Sequence, residues 1–382
     1  MLRRLNLEKS RANHFFLQGL RGLQNLGKKH MSTFFSKDMQ SCEVIASVLT
    51  KEAEQYAPLP LRSVRVGKPV TFDLYLKTIG KGSSEPKIVR CCAPGDKFQE
   101  DWYRKLEKLH IQWLYFSLEE VDQVFTYLQG HLESFLKDEN YSELEKAQRV
   151  CDATQVWILH FFTAEKNRTG KQINLALSLV DDLLGAVKNT SYNSLLLLEL
   201  RKQDFFIYTH SINCCILGLA FTNYLRWPPD KARNFGLGAL IHDIGYARLP
   251  RELFAKEEGP NEDDLAKMQR HTIEGFRMLQ SFSHIPWEAL QMVLRHHENG
   301  DGSGYPEGLK LSAIPTWARI MRIIDSYEEL TSERPWHPPL PPKEALWTMR
   351  QHWEKSKVYD YQYLKAFIGF LAGYSPGAKK SA

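Results

Sequence analysis

A chain of 382 residues is long enough for two or three domains of ordinary size. Its 43% hydrophobic and 25% charged content is that of a globular protein, and no apolar run reaches the roughly 18 residues of a membrane span, which argues against an integral membrane protein. Residues 1–30 carry seven Lys or Arg against one Glu, so the net charge of +5 sits there and the rest is close to neutral. DNA binding through a broad basic face is therefore not expected. The six cysteines lack CxxC or zinc-ribbon spacing and read as reduced thiols of a cytoplasmic protein.

In chain order, residues 1–30 are Arg-rich and acid-poor, without the apolar core or cleavage site of a signal peptide. Amphipathic enough to lie on an acidic membrane surface, they read more simply as an unstructured extension, or as sequence upstream of a start at Met31. With the lead-in they make up residues 1–59. Residues 60–137 form a small α+β domain of sensory or regulatory type. VTFDLYLK (70–77), PKIVRCC (86–92) and QWLYF (112–116) alternate like strands, 98–110 is helical, and 117–136 is an amphipathic helix started by Ser117. Residues 138–378 are almost wholly helical in pattern, broken at NRTG (167–170), RWPPD (226–230), HIPW (284–287) and RPWHPPLPP (334–342). SYNSLLLLEL (191–200) suits either a homodimer contact or burial in the chain's own core. Nucleotide loops of the GxGxxG and GxxxxGK[ST] kinds are absent.

The chemistry concentrates in these helices. In NFGLGALIHDIGY an apolar helix is expected to end on His242 and Asp243, with Gly245 as its C-terminal cap. Trp287, Leu290, Val293 and Leu294 form an inner stripe leading to His296 and His297. Asn261 opens a helix with an acidic first turn, whose Leu265 and Met268 face inward towards His271. Trp317, Ile320, Met321 and Ile324 end against Asp325, and His210 lies in the apolar FFIYTHSINCCILGLAF. A buried carboxylate without a partner is costly, so a cation is its natural companion. Mixed imidazole and carboxylate donors without thiolates suit manganese, iron or another divalent ion at a hydrolytic site.

HDIG at 242–245 followed by HHENGDGSGYP at 296–306 resembles the HD-GYP family, a branch of the all-helical HD superfamily whose members hydrolyse cyclic di-GMP. YTHS, KMQRHTIEG, LSAIPTWARI and RIIDSYEELTSERP follow the family pattern in order, over roughly residues 145–375. The resemblance implies a multi-domain chain with an all-α HD-type bundle behind the α+β domain. It implies two divalent metals, iron or manganese. His210, His242, Asp243 and Asp325 would bind one; His271, His296 and His297 would bind the other, with Asp243 bridging both and the nucleophilic hydroxide. Arg334 matches the family's phosphate-binding arginine. Three positions depart from the family: Tyr246 stands where a substrate-touching Lys is usual, His337 replaces a second basic residue, and Phe206 replaces the Glu that holds a third metal. Gly304, Tyr305 and Pro306 are expected to shape the pocket or to contact a partner protein. Asp301 is expected to order its loop, and Glu298 to support the histidines. The function implied is opening of cyclic di-GMP to pGpG and onward to GMP. The alternatives are a catalytically weak cyclic-dinucleotide receptor, or a hydrolase of another cyclic dinucleotide such as cyclic GMP-AMP.

Overall fold

The computed structural model describes residues 55–79, 86–163, 169–189, 206–250, 253, 261–332 and 338–373. The basic segment 1–30, the turn at 80–85, SYNSLLLLEL, Arg334 and His337 lie outside the described residues. The chain divides into two compact units, Met1–Glu133 and Ser134–Ala382.

In the first unit four strands form one antiparallel sheet: β1 (Tyr56–Pro60), β2 (Leu74–Ile79), β3 (Pro86–Cys92) and β4 (Trp113–Ser117), in the order β1-β4-β2-β3. Helix α1 (Glu100–Lys108) lies between β3 and β4, and α2 (Val121–Leu136) follows β4. Phe72, Phe98, Leu106, Leu114, Phe116 and Val124 form the core, with Phe72 edge-on to Phe116 and Tyr127. Ser117 accepts a hydrogen bond from the Glu119 amide at the turn that leads into α2, where the sequence placed a helix start. Strand β1 begins ahead of residue 60, where the sequence reading started this domain. Its two prolines hide it from pattern reading, and its place at the sheet edge explains their tolerance.

The second unit is helical in its described residues: α3 (Glu143–Thr163), α4 (Gly170–Asn189), α5 (Phe206–Tyr224), α6 (Pro229–Ile241), α7 (Glu262–Met268), α8 (His271–Leu279), α9 (Trp287–Arg295), α10 (Thr316–Thr331), α11 (Pro342–Ser356) and α12 (Tyr361–Gly373). Every residue of α5 from Thr209 to Thr222 is buried, so α5 is the central helix, with α4, α6 and α10 packed around it. Asn261 and Asp264 close a reciprocal capping box at the start of α7, as the acidic first turn predicts. The five described cysteines are buried thiols. No helix among the described residues is long and apolar enough to cross a membrane.

Three local expectations need correction. Trp287 is 63% exposed and Leu265 46% exposed, so neither belongs to an inward stripe, although Leu290 and Val293 are buried. Helix α6 ends at Ile241, before His242 and Asp243. Gly245 does not cap it but sits in the short 3-10 turn Ile244–Arg248. There the turn presses on α8 so closely that a Cβ on Gly245 would lie 1.8 Å from the His271 carbonyl oxygen and 2.6 Å from the Gly275 amide nitrogen. The glycine is needed for backbone contact between the turn that carries Asp243 and the helix that carries His271. Gly245→Ala should therefore destabilise the protein by roughly 2 kcal/mol or more in urea unfolding, the scale of an overpacked core; an unchanged midpoint would refute the close approach.

Candidate metal centre

Five helices or their ends deliver the seven predicted side chains to one place: α5 gives His210, the end of α6 gives His242 and Asp243, α8 opens with His271, the end of α9 gives His296 and His297, and α10 gives Asp325. Six of the seven are at most 5% exposed, and the His297 side chain is 11% exposed.

The imidazoles are oriented by their far nitrogens. Nδ1 lies 2.8 Å from the Ala239 carbonyl in His242, 2.7 Å from that of Met268 in His271, and 2.9 Å from that of Met292 in His296. A nitrogen facing a carbonyl must donate, which leaves a lone pair on Nε2 of each neutral ring. His210 turns its Nδ1 to Glu328 Oε2 at 2.5 Å, and that carboxylate is itself held by Asn213 and Ser332. The Nε2 atoms then converge in pairs, His210 with His242 at 3.1 Å and His271 with His296 at 3.2 Å.

Asp243 lies between the two pairs. Its Oδ2 is 3.5 Å from His210 Nε2 and 3.4 Å from His242 Nε2, while its Oδ1 is 3.3 Å from His271 Nε2 and 3.4 Å from His296 Nε2. Asp325 Oδ1 adds to the first pair, 3.2 Å from His210 Nε2, and its Oδ2 lies 3.7 Å from His297 Nδ1. Asp243 Oδ1 and Asp325 Oδ2 are buried without a hydrogen bond to any described residue.

The protonation states suit cation binding. Burial favours a neutral carboxyl at Asp243, but His242, His271 and His296 outweigh it and hold the group well below the ordinary carboxylate range. Asp325 is lowered in the same way by His210 and His297 against its burial. Burial pushes His242 down to about 4 and His297 well below an ordinary histidine. His210 goes the other way: burial opposes its charge, yet Cys214, Glu328 and Asp325 hold its pKa well above the usual value. Something positive has to sit among these donors. A proton on His210 Nε2 serves one contact, whereas a divalent ion in each half serves all of them. The donors form two groups with ligand atoms within 4.8 Å of one another: His210, Cys214, His242 and Asp325, and Asp243, His271, His296 and His297.

Cys214 and Glu328 were not singled out in the sequence. Cys214 Sγ lies 3.8 Å from both ring nitrogens of His210, one turn along α5; burial pushes its thiol up to about 12, against the thiolate form, while His210 pulls it down. The signal for Glu328 was its place three residues after Asp325 on α10, on the same face. Glu298, expected behind the histidines, instead accepts the amides of Glu307 and Leu309 at 2.7 and 2.8 Å and shapes the loop. Asp301 orders the loop through the Ser303 amide, as expected. Tyr305 stacks on His297 at 4.7 Å and Tyr246 on His271 at 4.1 Å, so both aromatic residues cover ligand rings. A Cβ on Gly304 would lie 2.2 Å from the Asn299 nitrogen and 2.5 Å from the His297 oxygen, so this glycine lets the loop fold back on the histidine pair. Pro306 follows Tyr305 in that loop.

Residues 197–362 match the HD domain family. Over 238 residues the chain is 30% identical to a cyclic di-GMP phosphodiesterase of Pseudomonas aeruginosa, covering 62% of this chain and 56% of that protein. Over 146 residues it is 32% identical to a 3'3'-cGAMP-specific phosphodiesterase of Vibrio cholerae, covering 38% of this chain and 33% of the relative. The chain thus spans about half or less of the length of these relatives. A solved HDG"Y"P protein of Bdellovibrio bacteriovorus shares the fold at a TM-score of 0.61 and 20% identity, over 83% of this chain and 99% of that one. Residues 197–362 of the helical unit thus match an HD domain, and the fold of the chain is that of the HDG"Y"P protein.

Removing the acceptor behind His210 should loosen metal without touching a ligand. Glu328→Gln is expected to lower metal retention on dialysis roughly 10–100-fold, read by elemental analysis, as for other partners of metal-bound histidines. Retention equal to the wild type would show that Glu328 does not orient His210.

Proposed function

We propose that this chain is a metal-dependent phosphodiesterase that opens cyclic di-GMP to pGpG, with GMP as a further product, at the centre formed by the seven His and Asp residues. The observation that carries the reading is the division of Asp243, one oxygen towards each histidine pair. That is the arrangement of a carboxylate shared by two cations. His210, His242 and Asp325 would hold one ion and His271, His296 and His297 the other, with Asp243 common to both; iron or manganese fits these donors. When bound, such a pair lowers the pKa of a water and neutralises charge on the phosphoryl oxygens.

The chain's own residues do the rest. Glu328 fixes the His210 tautomer, and the carbonyls of Ala239, Met268 and Met292 fix the rings of His242, His271 and His296. Asp243 and Asp325, ionised, keep the donors ready for cations. Tyr246 keeps its phenolic proton, because burial and the nearby Asp243 raise its pKa well above 10, and it can donate to a phosphate oxygen. Arg334 and His337 complete the proposed substrate contacts. Gly304, Tyr305 and Pro306 are proposed as a wall of the pocket that also faces a protein partner.

One observation favours a second reading, a receptor with weak turnover: the position after HDIG holds an aromatic ring packed on His271 where a cation would favour catalysis. Manganese- or iron-loaded protein incubated with cyclic di-GMP should give pGpG by chromatography, and Asp243→Ala should abolish it. Intact cyclic di-GMP bound to metal-loaded protein would favour the receptor, and cleavage of cyclic GMP-AMP alone would reassign the substrate. In the same preparation a chelator should lower the melting temperature by several degrees, since ions that bind only the folded state stabilise it.

A further inference from the structure

Among the described residues, the carboxylates of the metal centre form an ion pair with one guanidinium, that of Arg322. It lies on α10 one turn before Asp325, so Arg322, Asp325 and Glu328 follow at i, i+3 and i+6 along one helix face. Its Nη1 is 3.5 Å from Asp325 Oδ2, the carboxylate oxygen without a hydrogen bond. Two of its nitrogens are anchored: Nε donates to Asn299 Oδ1 at 3.0 Å and Nη1 to Ser326 Oγ at 2.9 Å, while the Tyr359 ring lies 5.9 Å away. Asn299 belongs to the loop that carries Tyr305, and its amide is held by Ser303. Nη2 makes no hydrogen bond to a described residue and is not among the sealed polar atoms, and the side chain keeps 21% of its surface open.

This arrangement is unusual for a purely structural arginine. A guanidinium that only tied the loop to α10 would pair fully with the nearest carboxylate. Here the nearest carboxylate oxygen is beyond hydrogen-bond distance, and the fork is fixed by neutral partners that cancel none of its charge. Coordination would commit Asp325 to a cation, leaving Glu329 as the carboxylate that still bears on the guanidinium, and its open side for an anion arriving from solvent. Tyr246, the other side chain over the ligand rings beside Tyr305, brings no charge.

We propose that Arg322 is a phosphate-contacting residue of this site, presenting its open Nη2 to a non-bridging oxygen of the substrate phosphodiester at the edge of the ligand cluster. The inference rests on the reading of the centre as one that cleaves phosphodiesters, and it adds a binding cation on α10. A preformed planar donor aimed at a dianionic or monoanionic phosphate gives a charge-assisted hydrogen bond, the strong kind.

Titration of inorganic phosphate into metal-loaded wild type, Arg322→Gln and Arg322→Lys, with metal content measured on each sample, tests it. The Gln variant should bind phosphate roughly tenfold more weakly or worse, as loss of one charged hydrogen bond implies, at unchanged metal content. The Lys variant should recover part of that loss, and the KM for cyclic di-GMP should rise in the Gln variant more than kcat falls. Unchanged phosphate affinity in the Gln variant overturns the proposal, as does a wild type that binds no phosphate. Equal loss of metal in both variants also overturns it, in favour of a positioning role on Asp325. A wild type that cleaves no cyclic dinucleotide but shows the Arg322-dependent phosphate affinity would fault the proposed function and leave this inference standing.

Discussion

The structure of the helical unit turns on two ionised carboxylates, Asp243 and Asp325, enclosed by imidazole lone pairs in the middle of an apolar bundle. Each is at most 5% exposed, and each has an oxygen with no hydrogen bond. Burying such a group without compensation costs several kcal/mol, and His210 and Arg322 beside them are less than a full set of counter-charges. The bundle therefore carries an electrostatic debt that only a cation settles in full, and the fold is arranged to keep it from relaxing. Helix α5 is buried on every side from Thr209 to Thr222, and the rings of His242, His271 and His296 are locked by backbone carbonyls three or four residues before them.

Two close backbone approaches make that convergence possible. Gly245 lets the turn after His242 and Asp243 lie against the start of α8, and Gly304 lets the GYP loop fold back over His296 and His297. These are packing requirements rather than chemical ones, since neither glycine offers a ligand. The aromatic residues of the motifs act similarly: Tyr246 and Tyr305 cover the faces of His271 and His297 and leave the nitrogen edges to the carboxylates. Residues that a motif reading would assign to chemistry thus shape and shield the centre, while the unadvertised Glu328 and Arg322 on α10 reach it directly.

Pattern reading succeeded where a single helix decides the outcome. The capping box at Asn261, the Ser117 turn and the buried stripe of α10 follow from local propensity and 3.6-residue periodicity, and all are present. It failed where neighbours decide. Trp287 and Leu265 fit an apolar phase, yet both are exposed, and Trp287 meets Phe276 of α8 edge-on. Strand β1 was passed over because its prolines count against a strand until its edge position is known. Glu298 sits beside the histidine pair in sequence, yet its carboxylate turns away to two loop amides.

The sequence by itself determined the ligand types, their order along the chain and the helical class, because His, Asp, Gly and apolar residues at fixed spacings carry their chemistry and periodicity with them. Tertiary structure alone decided that Asp243 faces two histidine pairs with separate oxygens, that Glu328 orients His210 from 118 residues away, and that the Arg322 guanidinium stays partly open beside Asp325. The physical reason is that side-chain direction and burial depend on which helices pack together. Spacing within a helix fixes the face a residue occupies, and only the packed neighbours fix what that face meets.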